Sequence, residues 1–534
     1  MTDKRKIYIF LIFYFLITVY PLKFVPLFET TEARYSEIAR EMVVTGDYLE
    51  PRFNGIKHFH KPPFAYWMIA TGIKIFGNNG LGARFFGVLA AVLSIFFLYK
   101  LAKLFFENEE DYYNTALIYS TNFLFIAISR ITSTDIYLTM WTVIAQYFLF
   151  RQIYHQKSYV NSLFYGFALG FGFLTKGPII FLFTILPYLF VKFIDKSHKK
   201  VFTFKEIVLA VFVFLAVSLP WYIAVIVKNS DLLNYFLKVQ TVDRVVTNRF
   251  HRYKPFYFFI LVFIGGFLPY TLYFIKTAKL FKTLSSKFKI LIFYFLIPFI
   301  IFSIAKSKLA TYILPLFPIS SILAYYGYKK VDKNFYRYFI AGILILIIFG
   351  VMISGYIYPP LNDFKKTCVL YGILVLLTIS PVIINLKNSK FLSSVAFTMI
   401  SLTFIIYLIL PVIGPEIRGY RQMGLYLNKL DPDKKLDILV YNGFIPSLSF
   451  YRDKLVVMAY GKERETQFEK DEKYKSYYLT NDNEIMQFVK ERGSFFLVTR
   501  PKYIKNFEKK FFAQCKEVFQ QRKYSAYLCK NLQK

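Results

Sequence analysis

The sequence predicts an α-helical polytopic membrane protein of about thirteen transmembrane helices, followed by a small extracytoplasmic α/β domain. Three observations predict it. Of 534 residues, 56% are hydrophobic, and the mean hydropathy is +0.41. Apolar runs close to the ~20 residues that cross a hydrocarbon core recur from Ile7 to position 412. From Gly414 onward the composition turns polar, and short strand-like and helix-like patterns replace the long runs. The expected division is therefore a membrane domain over 1–413 and a soluble domain over 414–534.

The first run, from Ile7 to about Phe28, follows Lys4-Arg5-Lys6 and lacks a small-residue cleavage site. It reads as a retained anchor rather than a signal peptide. Further spans are expected near 81–106, 112–129, 135–150, 159–174, 177–194, 206–227, 255–275, 288–304, 310–328, 335–356, 368–386 and 391–412. Several contain Pro or Gly, which packed membrane helices tolerate. In the tail, Leu436–Tyr441 and Ser494–Thr499 read as strands, and Glu484–Arg492 and Tyr503–Phe512 as helices. The tail carries no catalytic motif and is expected to be accessory. No nucleotide-binding glycine loop and no internal repeat is present.

A net charge of +34 would suggest nucleic acid in a soluble chain. Here the lysines gather in short connections at 192–205, 276–289, 329–337 and 387–390. The short loops on the other side hold far fewer: Arg130, Lys176, Lys306, Lys308, Lys365 and Lys366. That asymmetry places the N-terminus in the cytoplasm and points the lysines at anionic lipid, not nucleic acid. With an odd number of spans, the tail lies outside. Cys368 starts an apolar run and reads as a small core residue, while Cys515 and Cys529 fit a disulfide or two thiols equally well.

Two outer loops are long, about 28–80 and 228–254. The first contains an amphipathic stretch with Ala33, Ile38, Met42 and Val43 broadly on one side. Arg34, Glu37, Arg40 and Glu41 are expected to be exposed on the other, with the helix lying along the outer membrane face. Charge is costly beside a bilayer, so such a cluster marks chemistry or ion pairing.

Particular segments carry more. They are Glu32-Ala-Arg-Tyr-Ser-Glu-Ile-Ala-Arg-Glu-Met42, Gly46-Asp47, Phe53-Asn-Gly55, Phe59-His-Lys-Pro-Pro63 and Tyr66-Trp67. Arg130 with Asp135, Thr175-Lys-Gly-Pro178, the loop from Arg244 to Pro255, and Ser307-Lys-Leu-Ala-Thr-Tyr-Ile-Leu-Pro315 follow in order. Together they resemble the aminoarabinose transferase family, bacterial enzymes of the GT-C membrane glycosyltransferase class related to protein O-mannosyltransferases. The resemblance implies a sugar donor on a polyprenyl (undecaprenyl) phosphate. The acceptor would be lipid A, another envelope glycan or a protein hydroxyl, at the outer face of the bacterial cytoplasmic membrane. The residues themselves call for no particular cofactor, and a divalent cation is compatible with them.

The leaving group of such a donor is a lipid phosphate, whose developing charge needs fixed cations. Lys61, held by two prolines, suits that role, with Arg244, Lys176 and Lys308 as further candidates and Tyr312 beside them in the shared Lys-x-x-x-Tyr segment. The plainer reading of each cation is a headgroup or helix-end contact. Asp135, Glu32 and Glu29 are the acids expected to activate or orient the acceptor. The family carries an Asp directly before the Glu of its Glu-x-Arg-Tyr motif, and this chain has Thr31 there. For Glu32 the plainer reading is a helix-start acid paired with Arg34 or with backbone donors. Arg34 and His60 are secondary candidates in the same loop, and no metal site is expected. A lipid-linked-sugar flippase is the competing function, but it would place charge at mid-membrane rather than at the outer surface.

Overall fold

Helices dominate, and their breaks fall where the sequence provides for them. The computed structural model describes residues 3–194, 201–242, 253–331, 333–417, 419–460, 468–469, 474 and 476–532. Seven helices among them are long and apolar enough to cross a bilayer: Arg5–Lys23, Gly80–Ala102, Phe204–Lys228, Ser286–Ile304, Asn334–Ile357, Leu361–Ile384 and Phe391–Leu408. An eighth crossing would be the pair Phe258–Gly266 and Thr271–Lys279, bent by 116°. Pro269 stands at that break and Gly265-Gly266 just before it.

Other expected spans are divided. The run 112–129 forms Glu109–Ser120 and Phe123–Ile128, with Asn122 capping the second by accepting from Phe125 N at 3.0 Å. The run 177–194 forms Ile179–Phe183 and Ile185–Ile194 after Gly177, whose φ of 73° suits glycine. The run 310–328 begins as a 3-10 segment, Ala310–Leu316, before Phe317–Lys329.

The chain forms two compact units, one of residues 1–20 and 87–406, the other of residues 21–86 and 407–534. In the first, small residues let helices approach closely. A Cβ on Gly166 would stand 2.3 Å from the carbonyl oxygen of Ala210, so Tyr159–Lys176 and Phe204–Lys228 touch through backbone.

The second unit is built on a hairpin and a mixed sheet. The hairpin pairs β1 (Arg52–Phe53) with β2 (Ile56–Lys57) around Asn54-Gly55. The six-stranded sheet comprises β3 (Ile438–Tyr441), β4 (Val457–Ala459), β5 (Tyr478–Leu479), β6 (Ser494–Thr499), β7 (Ala513–Gln521) and β8 (Tyr524–Asn531). Their order is β5-β4-β3-β6-β8-β7, parallel from β5 to β6 and antiparallel from β6 to β7. Cys515 and Cys529 are joined by a disulfide across the β7–β8 pair. Cys368 is free and buried.

Each face of the sheet buries a separate core. Leu439, Tyr441, Val457 and Leu497 pack against Phe488 and Phe507, from the helices Asp482–Arg492 and Ile504–Phe511. On the opposite face, Ile438, Val440, Met458 and Val498 share a core with Ile38, Ala39 and Met42 of the helix Thr31–Thr45, and with Tyr66 and Ile69 of Phe64–Phe76. The first loop and the tail are therefore one folded body.

This corrects the expectation for the loop helix. Its residues Ala33, Ile38 and Met42 are buried in the core beneath the sheet, and Glu37, Arg40 and Glu41 are buried too. The reason lies in the tail. Asp453 reaches Arg40 at 3.0 Å, and the Asn54 side chain bonds Val456 O at 2.9 Å and Ser449 Oγ at 2.8 Å. Charges that a lone helix would hold in water are enclosed by chain some 400 positions away.

Candidate active site

Three expected residues meet in the first unit. Asp135 lies in the first turn of Thr134–Tyr154, where the helix dipole favours an acid. Ser133 caps that helix, accepting from Asp135 N and donating to Asp135 Oδ2, both at 3.1 Å. Lys176 ends Tyr159–Lys176, the position that favours a cation, and its Nζ donates to Asp135 Oδ1. The same Nζ stands 4.4 Å from the centre of the Tyr312 ring, within cation–π range. The Asp135 and Lys176 side chains are only 9% and 7% exposed, so the pair is largely shielded from water.

Lys308 is also buried, and donates to Lys254 O at 2.9 Å. Ser307 next to it pairs with Tyr253 as an isolated antiparallel bridge. Arg244 lies outside the described residues.

In the second unit Glu32 is fully engaged. Arg84 Nε and Nη2 donate to its two oxygens at 2.8 Å each, and Phe28 N donates to Oε2 at 2.8 Å. Arg84 also donates to Val25 O at 2.9 Å and Pro26 O at 2.8 Å. Both oxygens of the Glu32 carboxylate are thus committed to the bidentate guanidinium, an arrangement that fixes geometry. The plainer reading of Glu32 gains from this geometry, with Arg84 rather than Arg34 as the partner. Glu29 Oε1 accepts from Ser447 N at 3.1 Å. Arg34 is half-buried, its guanidinium 5.9 Å from the Tyr35 ring centre.

Lys61 is half-buried in the turn ahead of Phe64–Phe76, and Pro62 and Pro63 beside it are buried. Two rings with fixed φ therefore set its backbone. The His60 ring stands 4.1 Å from that of His58, edge to face. Among the described residues no three His, Cys, Asp or Glu side chains are grouped to hold a metal.

Sequence reasoning missed two features here. Arg84, the partner of Glu32, stands among apolar neighbours near the start of Gly80–Ala102, and an isolated charge in such a run was the available signal. The other is a buried charge cluster. Arg40 Nε and Nη2 donate to the two Glu37 oxygens at 2.8 Å each. Glu41 Oε2 accepts from Gly55 N at 2.8 Å and Oε1 from Asn54 N at 2.5 Å. Burial, then the neighbouring Glu37, pushes the Glu41 carboxyl up to about 8, against the pull of Arg40 and the two backbone donors. Burial raises Glu37 as well, and a side-chain hydrogen bond with Glu41 opposes that rise.

Known proteins resemble this chain in sequence and in fold. The family model of dolichyl-phosphate-mannose-protein mannosyltransferases matches residues 60–223. An undecaprenyl phosphate-α-4-amino-4-deoxy-L-arabinose arabinosyl transferase of Photorhabdus laumondii is 31% identical over 62% of this chain and 61% of its own length. The chain thus spans about three-fifths of that relative. An uncharacterised protein of Aquifex aeolicus is 29% identical over 85% of this chain and 88% of its own. The crystal structure of ArnT from Cupriavidus metallidurans bound to undecaprenyl phosphate superposes with a TM-score of 0.83, covering 97% of each chain at 20% identity. The chain is aminoarabinose transferase-like in sequence and in fold.

A GT-C fold follows, mostly helical with a small C-terminal sheet. Within the aminoarabinose transferase-like frame, the mannosyltransferase match takes in Lys61, Asp135 and Lys176. It ends before Lys308 and Tyr312.

Proposed function

We propose that the chain is a glycosyltransferase that moves a sugar from a polyprenyl-phosphate donor to lipid A or another envelope acceptor, at the outer face of the cytoplasmic membrane. The observation that carries this is the shielded Asp135–Lys176–Tyr312 cluster in an aminoarabinose transferase-like chain. Transfer breaks the bond between the sugar's anomeric carbon and the phosphate oxygen, and forms one to the acceptor oxygen. Negative charge grows on the departing lipid phosphate, where a cation fixed before reaction needs no reorganisation. Lys176 is such a cation, held by an acid on one side and an aromatic face on the other. In this reading Lys61, Lys308 and Arg244 supply further positive charge. Asp135 is the acid that orients the acceptor or takes its proton, and Glu32 with Arg84 keeps the first loop folded rather than reacting.

In this reading the membrane domain crosses about thirteen times, an odd number that leaves the tail outside the cytoplasm. The Cys515–Cys529 disulfide supports that side, since such bonds persist in oxidising compartments.

The test is reconstitution of purified protein in vesicles with a radiolabelled undecaprenyl-phosphate sugar and lipid A. Label recovered covalently on the acceptor is the expected result. Label that changes leaflet while staying on the donor would make the protein a flippase instead.

A further inference from the structure

We propose that a groove at the helix ends of the first unit binds the phosphodiester headgroup of an anionic phospholipid, independently of the sugar-transfer site. The groove has a volume of about 660 Å³. Four helices close it: Asp3–Val19, Glu109–Ser120, Lys365–Ile384 and Phe391–Ile417.

Charge selects the ligand class. Lys6 and Lys390 line the groove from different helix ends, and among the described residues Glu110 is the one acid in the lining. The balance is one positive charge, which suits a singly ionised phosphodiester better than a doubly charged phosphate monoester. Lys390 has no ion-pair partner among the described residues. Ser389 and Ser393 add hydroxyl donors. These groups stand at the start of the 27-residue helix Phe391–Ile417, whose dipole also favours an anion there.

The frame is built before any ligand arrives. The Asn385 amide donates to Pro381 O at 2.9 Å and to Ser394 Oγ at 3.0 Å, tying the end of one helix to the start of the next. Apolar surface adjoins the polar ring, because Pro381 and Phe397 share the lining and Phe397 is 48% exposed. Lysines sharing a groove with an exposed aromatic at the ends of long apolar helices match the headgroup level of a bilayer. A free anion would need no such ring, whereas an acyl-bearing headgroup would use it. The orientation read from the lysines puts this groove at the cytoplasmic leaflet, where anionic lipid attracts basic segments.

Native mass spectrometry of the full chain, released from micelles doped with phosphatidylglycerol or phosphatidylcholine, tests the proposal. The expected result is one retained phosphatidylglycerol, not displaced by millimolar inorganic phosphate. K6A/K390A should lower its occupancy about tenfold or more, on the scale of two lost lysine–headgroup attractions. S393E, which puts a negative charge into the groove and leaves both lysines, should expel the lipid as well. K282A, which removes an exposed lysine outside the groove, should retain it. Undiminished binding by K6A/K390A and S393E, or equal loss in K282A, would overturn the site. Occupancy by inorganic phosphate without retained phosphatidylglycerol would overturn the lipid as its ligand.

Discussion

Arg84 and Glu32 set the terms at the scale of single residues. Both are buried, and each satisfies the other, so removing one strands a charge. Arg84→Ala is expected to destabilise the protein by roughly 3–5 kcal/mol, read as a fall in thermal midpoint in detergent. Glu32→Gln keeps one hydrogen-bond acceptor but strands the Arg84 charge, so it too should lower the midpoint. Its turnover per folded molecule should stay near wild type, and a steep loss there would restore Glu32 as the base. The carboxyl of Glu41 makes a second prediction. Its folded value of about 8 lies above its ordinary 4.5, so the folded state binds this proton more tightly than the unfolded chain. The resulting stabilisation is complete below pH 4.5 and is lost as pH rises through 8. Hydrogen exchange at Asn54 and Gly55, which Glu41 anchors, should therefore accelerate on going from neutral to alkaline solution, and more than exchange in the first unit. Equal acceleration in both would remove Glu41 as the cause.

Elements differed in how far the sequence disclosed them. Ser494–Thr499 was legible to the residue, and Ile438–Tyr441 nearly so, because both are short apolar runs bounded by polar turns. The final hairpin, β7 with β8, was not expected. In its strand Ala513–Gln521 only Ala513 and Gln521 are buried, with Val518 and Phe519 partly buried against the core, and pairing to β8 and the cross-strand disulfide add to the hold. The helix Thr31–Thr45 was legible as a helix, but its environment was not. Periodicity identifies the apolar side, whereas enclosure of Glu37, Arg40 and Glu41 depends on partners distant in sequence. For that reason the tail is not accessory in folding terms. Ending the chain at Pro415 should remove one side of the core that buries Ile38, Ala39 and Met42. Limited trypsinolysis of the truncated protein should cut at Arg34, Arg40 and Arg52, sites the full chain protects. Retained protection would show that the first loop folds alone.

Over the whole molecule, composition and the lysine pattern disclosed a membrane helix bundle, and motif order disclosed the family. The number of continuous helices was less legible. A hydropathy run reads the same whether its helix is straight or broken at Thr121-Asn122, Gly177 or Pro269. The site was partly legible in the same way. Asp135, Lys176 and Tyr312 were each named from separate motifs, but their meeting depends on packing between three elements. Arg84 was not named at all. What unites these levels is the claim that a preformed, water-shielded cation meets the charge leaving with a lipid phosphate. The most direct test is single-turnover sugar transfer by Lys176→Ala from an undecaprenyl-phosphate donor, with folding and donor binding checked against wild type. Loss of one aimed cation should cost on the order of 3 kcal/mol, roughly a hundredfold in rate, with donor binding much less affected. Near wild-type transfer by a folded Lys176→Ala would contradict the account.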